Sequence, residues 1–310
     1  MQTDGMKSIR WQIWTQPKSC LAVAVPPRAV PLSPSSRCLR LPEIDHTAVD
    51  QYWSGVKASI LGPYMMDGFG FPASAGHYRF RAESGIVKRL LRDVDLRGTV
   101  LDLGCGVGYW AETFAQRFSR VVAVEGSGAL YQALEERCAS YANIRPVRGN
   151  VLSFEPEGHY RVVFLGGLLM YLDEQAVLVL LRKLAAHLES GGIILCREST
   201  VRGETERPAG DYPVVYRSVQ GYQRIFKQCG LTIRQTERNE PYVLMQIGCE
   251  LVKKWKGLVP EALQMPGVIG PLAYWAMRLG NPWINHLPRA LGIRFPKLEN
   301  HFFVLEPEAI

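Results

Sequence analysis

Four residues within "VLDLGCGVGYW" could do chemistry: an acid, Asp102, and three glycines, Gly104, Gly106 and Gly108. Glycines after an apolar run let a backbone turn tightly and come close to a ligand, as nucleotide-binding loops do. A dinucleotide loop runs GxGxxG, its third glycine giving the helix room against the strand. Here the run is GxGxG, and Tyr109 stands where that glycine is needed. A P-loop requires Lys followed by Ser or Thr after the glycines, and neither pair is present there. Asp102 would repel a phosphate and attract a cation. Glu125 ends the next β-branched run, "RVVAVE", where a carboxylate can accept both hydroxyls of a ribose. These residues suit a phosphate-free nucleoside with a positive end, a description that S-adenosylmethionine meets.

Such a loop needs a parallel sheet with crossover helices to hold it. Residues 99–104, 120–125, 143–147, 161–166 and 192–198 read as strands, each short and rich in apolar or β-branched residues. Helices are expected after Gly108, after Ser127 and over 173–188, with Ser127 and Asp173 as N-caps. A further helix over 218–229 ends at Gly230, a C-cap glycine. Two strands follow, 231–238 and 301–307, separated by an insertion over 242–297 that reads as helical and rich in Trp and Pro.

The chain of 310 residues, 47% hydrophobic and 21% charged, is ordinary for a globular protein. Its longest apolar run, residues 267–277, is well short of a membrane span. The net charge of +7 is unevenly placed: residues 1–41 carry +5, residues 246–297 carry +5, and residues 42–245 sum to about zero. Seven scattered cysteines with no CxxC signal neither a metal site nor a disulfide framework, and they suit a reducing cytoplasm. The first 45 residues, with six prolines and no periodicity, read as a disordered basic tail. The expected organisation is that tail, a lid segment over 46–97, a core over 98–241, the insertion over 242–297 and a last strand within 298–310.

The order and wording of these segments resembles the class I S-adenosylmethionine-dependent methyltransferases, from about Tyr78 to Arg238 and again in the final strand. The resemblance implies an α/β, Rossmann-like, seven-stranded, mostly parallel sheet with an antiparallel last strand. It also implies that Gly104, Cys105, Gly106 and Gly108 pass the amino-acid end of the cofactor. Glu125 and Gly126 would meet the ribose, Asn150 and Val151 the adenine, and Gly166 would close the fourth strand beside it. Asn150 replaces the Asp of many relatives and keeps a side chain able to bond the adenine amino group. The segment before the first strand commonly folds over the cofactor, which would turn Tyr64, Phe69, His77, Tyr78 and Arg81 toward the site.

For the acceptor, "FLGGLLMYLDE" lacks the Asn or Asp, Pro-Pro and aromatic of base-modifying relatives, so a small molecule is expected and a nucleic acid is not. "LLMYLDEQ", "RES" and "YRSVQGYQRIFKQCGL" are similar to segments of the plant phosphoethanolamine N-methyltransferases. In that half of the chain Arg217 could bind a phosphate or carboxylate in two-pronged fashion. Tyr171, Tyr212, Tyr216 and Tyr222 could offer hydroxyls and ring faces to an ammonium. Tyr171, Tyr216 and Arg217 are thus the expected catalytic residues. The expected substrate contacts are Tyr64, Tyr78, Arg81, Tyr212 and Tyr222. No Asp-His pair stands at a telling spacing, which favours nitrogen over oxygen as the methyl acceptor. Two rivals stand beside this reading. One is O- or C-methylation of a lipid-like metabolite at a membrane contacted by the basic insertion with Trp255, Trp275 and Trp283. The other is a non-catalytic cofactor-binding subunit.

Overall fold

A computed structural model describes residues 44–56, 71–208, 213–260, 266–293 and 295–308. Residues 1–43 of the expected tail lie outside them, as do Tyr64, Phe69 and Tyr212; its last two residues lie within them, with Ile44 buried and Asp45 capping the helix that begins at His46.

Strands β1 (Thr99–Leu103), β2 (Arg120–Glu125), β3 (Ile144–Arg148), β4 (Tyr160–Leu165) and β5 (Leu188–Val201) are parallel neighbours in the order β3-β2-β1-β4-β5. Two residues of β6 (Arg217–Ser218) pair with the end of β5. Beyond it, β8 (Leu298–Pro307) lies antiparallel between β5 and β7 (Leu231–Arg238). The sheet therefore has the seven expected strands plus the short β6.

Residues alternate between the faces, as the period of a strand requires. Val100, Val162, Phe164, Phe302 and Val304 join the core on one side, packed by helices α2 (Ala73–Leu90), α3 (Tyr109–Ala115) and α4 (Gly128–Cys138). Leu101, Leu103, Val163, Phe303 and Leu305 join the other, packed by α5 (Glu174–Ala186) and α6 (Val219–Gln228). Because both faces are covered, the strands read as nearly continuous apolar runs. Chain order reverses between β1 and β4, and the crevice beyond their carboxyl ends is where ligands bind in open α/β sheets.

Asp173 caps α5 by accepting from the Ala176 amide at 2.8 Å. Ser127 stands at the N-cap of α4 as expected, but its hydroxyl makes no capping bond and instead donates to the Trp53 carbonyl of α1 (His46–Ser54) at 3.1 Å. Gly230, with φ of 68°, closes α6 as expected.

The stretch before β1 shows no clean helical period in sequence, yet residues 73–90 form α2. The period is hidden because the inward stripe, Ala75, Arg79, Glu83, Val87 and Leu90, carries a buried ion pair at i and i+4. Between β7 and β8 the chain forms α7 (Glu240–Leu258), α8 (Pro266–Leu279) and α9 (Asn281–Ala290).

Candidate functional site

At the carboxyl ends of β1, β2, β4 and β5 lies a cavity of about 540 Å³, within the usual size range for a small-molecule site. One wall is backbone. Gly104 and Gly106 follow β1 with φ of 73° and 57°, a region that only glycine enters cheaply, and a Cβ at Gly106 would meet nothing within 4 Å. Gly106 thus holds open a cradle into which a ligand can press. Beside it, Glu125 accepts from the Gly106 and Ser127 amides, each at 2.8 Å. Burial raises the pKa of the Glu125 carboxyl, and these amides oppose the rise. The Gly126 amide is a third donor to this carboxylate, and a carboxylate has about four lone-pair sites, so room is left for a hydroxyl. Gly126, Asn150, Val151 and Gly166 line the same cavity.

Asp102 lies beneath this wall, 1% exposed, and does not line it. Burial pushes its carboxyl up to about 8, with Glu125 adding to the rise and the Ala111 amide opposing it. One of its oxygens, Oδ2, has no hydrogen-bond partner. Cys105 and Gly108 are also absent from the lining. Gly108 is needed for another reason: it enters α3 at φ of 88°, and a Cβ there would meet Leu134 Cδ1 at 2.6 Å. It packs α3 against α4 and is not a ligand contact. A glycine cradle with the Glu125 carboxylate at its edge fits a ligand bearing a ribose, and Asp102 lies buried behind it.

The other wall is made of side chains from distant segments. Arg79 of α2 and Arg197 of β5 each direct Nε–H at Glu83, at 2.7 Å to separate oxygens, and all three groups are buried. Tyr242 of α7 lies under the Arg79 guanidinium, 4.6 Å from its ring centroid, and its hydroxyl is 3.3 Å from that of Ser199. Both arginines line the cavity. Met245, Gln246 and Cys249 of α7 complete this side.

Helix α1 forms a third side. Trp53 meets Tyr171 edge to face at 5.4 Å, and Asp50 accepts from the Asn150 amide at 3.3 Å. Asn150 thus reaches a carboxylate of α1, a use of its donor that the resemblance did not include. His46, also in the lining, stands 3.7 Å from Asp173. The two are 127 positions apart in sequence, so the spacing argument for nitrogen over oxygen could not see them.

Tyr171 and Tyr216 line the cavity. Arg217 does not: it is 3% exposed and donates to the carbonyls of Leu169 and Leu172 at 2.8 and 2.6 Å. Opposite, the Glu198 carboxylate accepts from the amides of Leu168 and Leu169, each at 3.1 Å. Glu198 and Arg217 thereby grip the turn that carries Tyr171, so Arg217 positions the site and does not touch a substrate. Burial pushes Glu198 up to about 7 against those amides and the nearby Arg197 and Arg217. Tyr222 is also corrected: it is fully buried, stacks on Phe226 and turns its hydroxyl to Glu198 at 3.5 Å. Tyr78 packs on Tyr274 under the Arg278 cation, and Arg81 is exposed. Both fall off the inward stripe of α2, where Arg79, between them in sequence, does reach the cavity.

A sequence profile described as a methyltransferase domain matches residues 100–192, the strands and loops of the backbone wall. Over 157 residues, half of this chain, the sequence is 28% identical to phosphoethanolamine N-methyltransferase 3 of Arabidopsis thaliana, covering 31% of that protein. The chain contains a class I S-adenosylmethionine-dependent methyltransferase domain. Over 96 residues, 30% of the chain, this domain is 32% identical to ribosomal RNA small subunit methyltransferase A of Dehalococcoides mccartyi, covering 33% of it. The chain thus spans about a third of the length of these curated relatives. The methyltransferase fold is shared with a SAM-dependent methyltransferase of Leishmania major, at a TM-score of 0.55 and 12% identity over 84% of this chain and 82% of that one. Methyltransferases of this class use S-adenosylmethionine, and the glycine cradle and Glu125 line a cavity that fits its ribose. Among the described residues no helix is long and apolar enough to cross a membrane, and no His, Cys, Asp and Glu cluster could hold a metal ion.

Proposed function

We propose that the chain transfers a methyl group from S-adenosylmethionine to an amine nitrogen of a small acceptor carrying a phosphate or carboxylate. The observation that carries this reading is one cavity lined both by Glu125 and by Arg79 and Arg197, the two cations that meet on Glu83. Glu125 sits on β2 and Arg197 on β5, three strand spacings or about 14 Å apart, room for two ligands meeting between them.

The cofactor supplies an electrophilic methyl on a cationic sulfur, and the protein supplies position and dryness. Glu125 and the Gly106 backbone orient the nucleoside. Arg79 and Arg197 hold the acceptor's anionic group in charge-assisted bonds. Tyr171, Tyr216 and Tyr242 surround the nitrogen with hydroxyls and ring faces that favour an ammonium before its proton leaves. The similarity to a phosphoethanolamine N-methyltransferase supports an amine on an anionic body.

A second reading is O-methylation of a hydroxyl acceptor, favoured by His46 beside Asp173 at the cavity. A hydroxyl needs a base to take its proton, and an imidazole at the cavity, with a carboxylate 3.7 Å away, can supply one. Incubating the protein with methyl-labelled cofactor and panels of amino and hydroxy phosphates and carboxylates tests both. Label on nitrogen supports the first reading and label on oxygen the second; label on neither removes both. If oxygen is methylated, His46→Ala should lower kcat by roughly 100-fold or more; if nitrogen, the change should be far smaller.

A further inference from the structure

Helices α8 and α9 violate the usual rule that an outward helix face is polar. On α8, Val268, Leu272, Trp275 and Leu279 recur at i, i+4, i+7 and i+11, and all are at least half exposed, Leu279 at 81%. The opposite side of α8 is apolar too: Tyr274 and Met277 are buried against Leu244 and Met245 of α7. Apart from Arg278 the helix is apolar on both sides, yet only one side is packed. On α9, Trp283 and Leu287 repeat the pattern at i and i+4, 78% and 54% exposed. Among the described residues, ten of the twelve exposed large apolar side chains fall between 251 and 293. Such concentration marks an interaction surface and not a scatter of surface residues.

Charge decides which partner fits. Residues 246–297 carry seven Lys or Arg against two Glu, while residues 42–245 are neutral in sum. Lys253 and Lys254 on the outer half of α7, Arg278 on α8 and Lys297 after α9 are exposed. Glu250 turns inward to the Lys297 amide and the Gln246 side chain. A protein partner could cover the apolar stripes, but a single-sign basic border with outward Trp rings is the composition of a helix that lies in a lipid headgroup layer. At 14 residues α8 is about 21 Å long, too short to cross a bilayer core of about 30 Å. It can lie on a membrane and cannot span one.

We infer that α8 and α9 form a docking surface for an anionic lipid bilayer, with the apolar stripes entering the interface and the Lys and Arg side chains meeting the headgroups. The inference stands apart from the methyl-transfer reading, because it needs neither cofactor nor acceptor. It does place the cavity close to the lipid: α7 lines the cavity with Tyr242, Met245, Gln246 and Cys249, and its far end carries exposed Leu251 and Leu258.

The test is cosedimentation of the full chain with vesicles of phosphatidylcholine alone and of phosphatidylcholine with about 30% phosphatidylglycerol, at low and high salt. The expected result is capture by the anionic vesicles with a blue shift of Trp emission, weakened by salt. The double variant Leu279→Ser, Trp283→Ser should lower capture at least about tenfold, and Lys253→Glu, Lys254→Glu should remove the preference for anionic lipid. Both pairs are exposed, so the melting temperature should hold. Should the double variant nevertheless melt early, the wild-type emission shift and its salt dependence decide alone. Protein left in the supernatant with both vesicles overturns the inference, as does a stably folded double variant captured as well as wild type. Concentration-dependent dimers broken by Leu279→Ser, Trp283→Ser, without vesicle capture, overturn it in favour of a second copy.

Discussion

The two walls of the cavity are built by different means. On the Glu125 side the ligand surface is main chain, shaped by two strand ends and by glycines at φ values that other residues resist. On the Arg197 side it is side chains delivered by α2, β5 and α7, which meet only because the sheet is complete. A main-chain wall tolerates few changes and serves one ligand; a side-chain wall can be altered residue by residue without disturbing its neighbour. This division suits an enzyme with a fixed donor and a changeable acceptor.

If the division holds, substitutions on one wall should leave the other ligand's affinity untouched. Glu125→Ala should have the largest effect, weakening S-adenosylmethionine by roughly 100-fold through the loss of two charge-assisted bonds, read by calorimetry. Replacing Arg79 or Arg197 singly by Met leaves Glu83 paired with the other arginine. Each change should raise KM for an anionic acceptor roughly ten- to hundredfold, while the cofactor Kd measured on the same preparations stays constant.

Arg217→Met sharpens the comparison differently. If Arg217 grips the turn at Leu169–Tyr171, its loss should cost roughly 3 kcal/mol and lower Tm by several degrees. In that case kcat falls through a displaced Tyr171, with KM for the acceptor little changed. A rise in KM at unchanged Tm would instead return Arg217 to the substrate.

The smallest effect is in pH. Asp102, raised to about 8 from an ordinary 3.8, keeps more protons in the folded than in the unfolded chain between those values. Its contribution to stability is therefore full at low pH and is lost as pH rises toward 8. A cationic ligand above it favours the ionised form, so cofactor affinity should rise a few-fold from about pH 6.5 to 8.5, the opposite sign. Calorimetry in both conditions, repeated with Asp102→Asn, should show that dependence vanish.

These walls also differed in how far they could be read in advance. The glycines, Glu125 and the strand order are local: each is a spacing or a short apolar run, so sequence shows it directly. Arg79 escaped notice because an inward ion pair broke the apolar stripe that would have revealed α2 and its face. His46 and Asp173 meet across 127 positions, a juxtaposition with no local trace. Arg217 and Tyr222 carry the right chemistry for a substrate but point into the turn and the core, since side-chain direction depends on packing that a motif does not encode. Ser127 is the helix cap its position suggested, but its hydroxyl fastens α1 through the Trp53 carbonyl.

The placement of β8 bears on how the molecule is made. Its ten residues run between β5 and β7, pairing with both, while roughly sixty residues of helix and loop separate it from β7 along the chain. During synthesis β5 and β7 keep bare edges until residues 298–307, the strand that joins them, leave the ribosome. Cells lacking chaperone capacity should accumulate this polypeptide as aggregate in that interval, since unpaired edges are open to any passing strand.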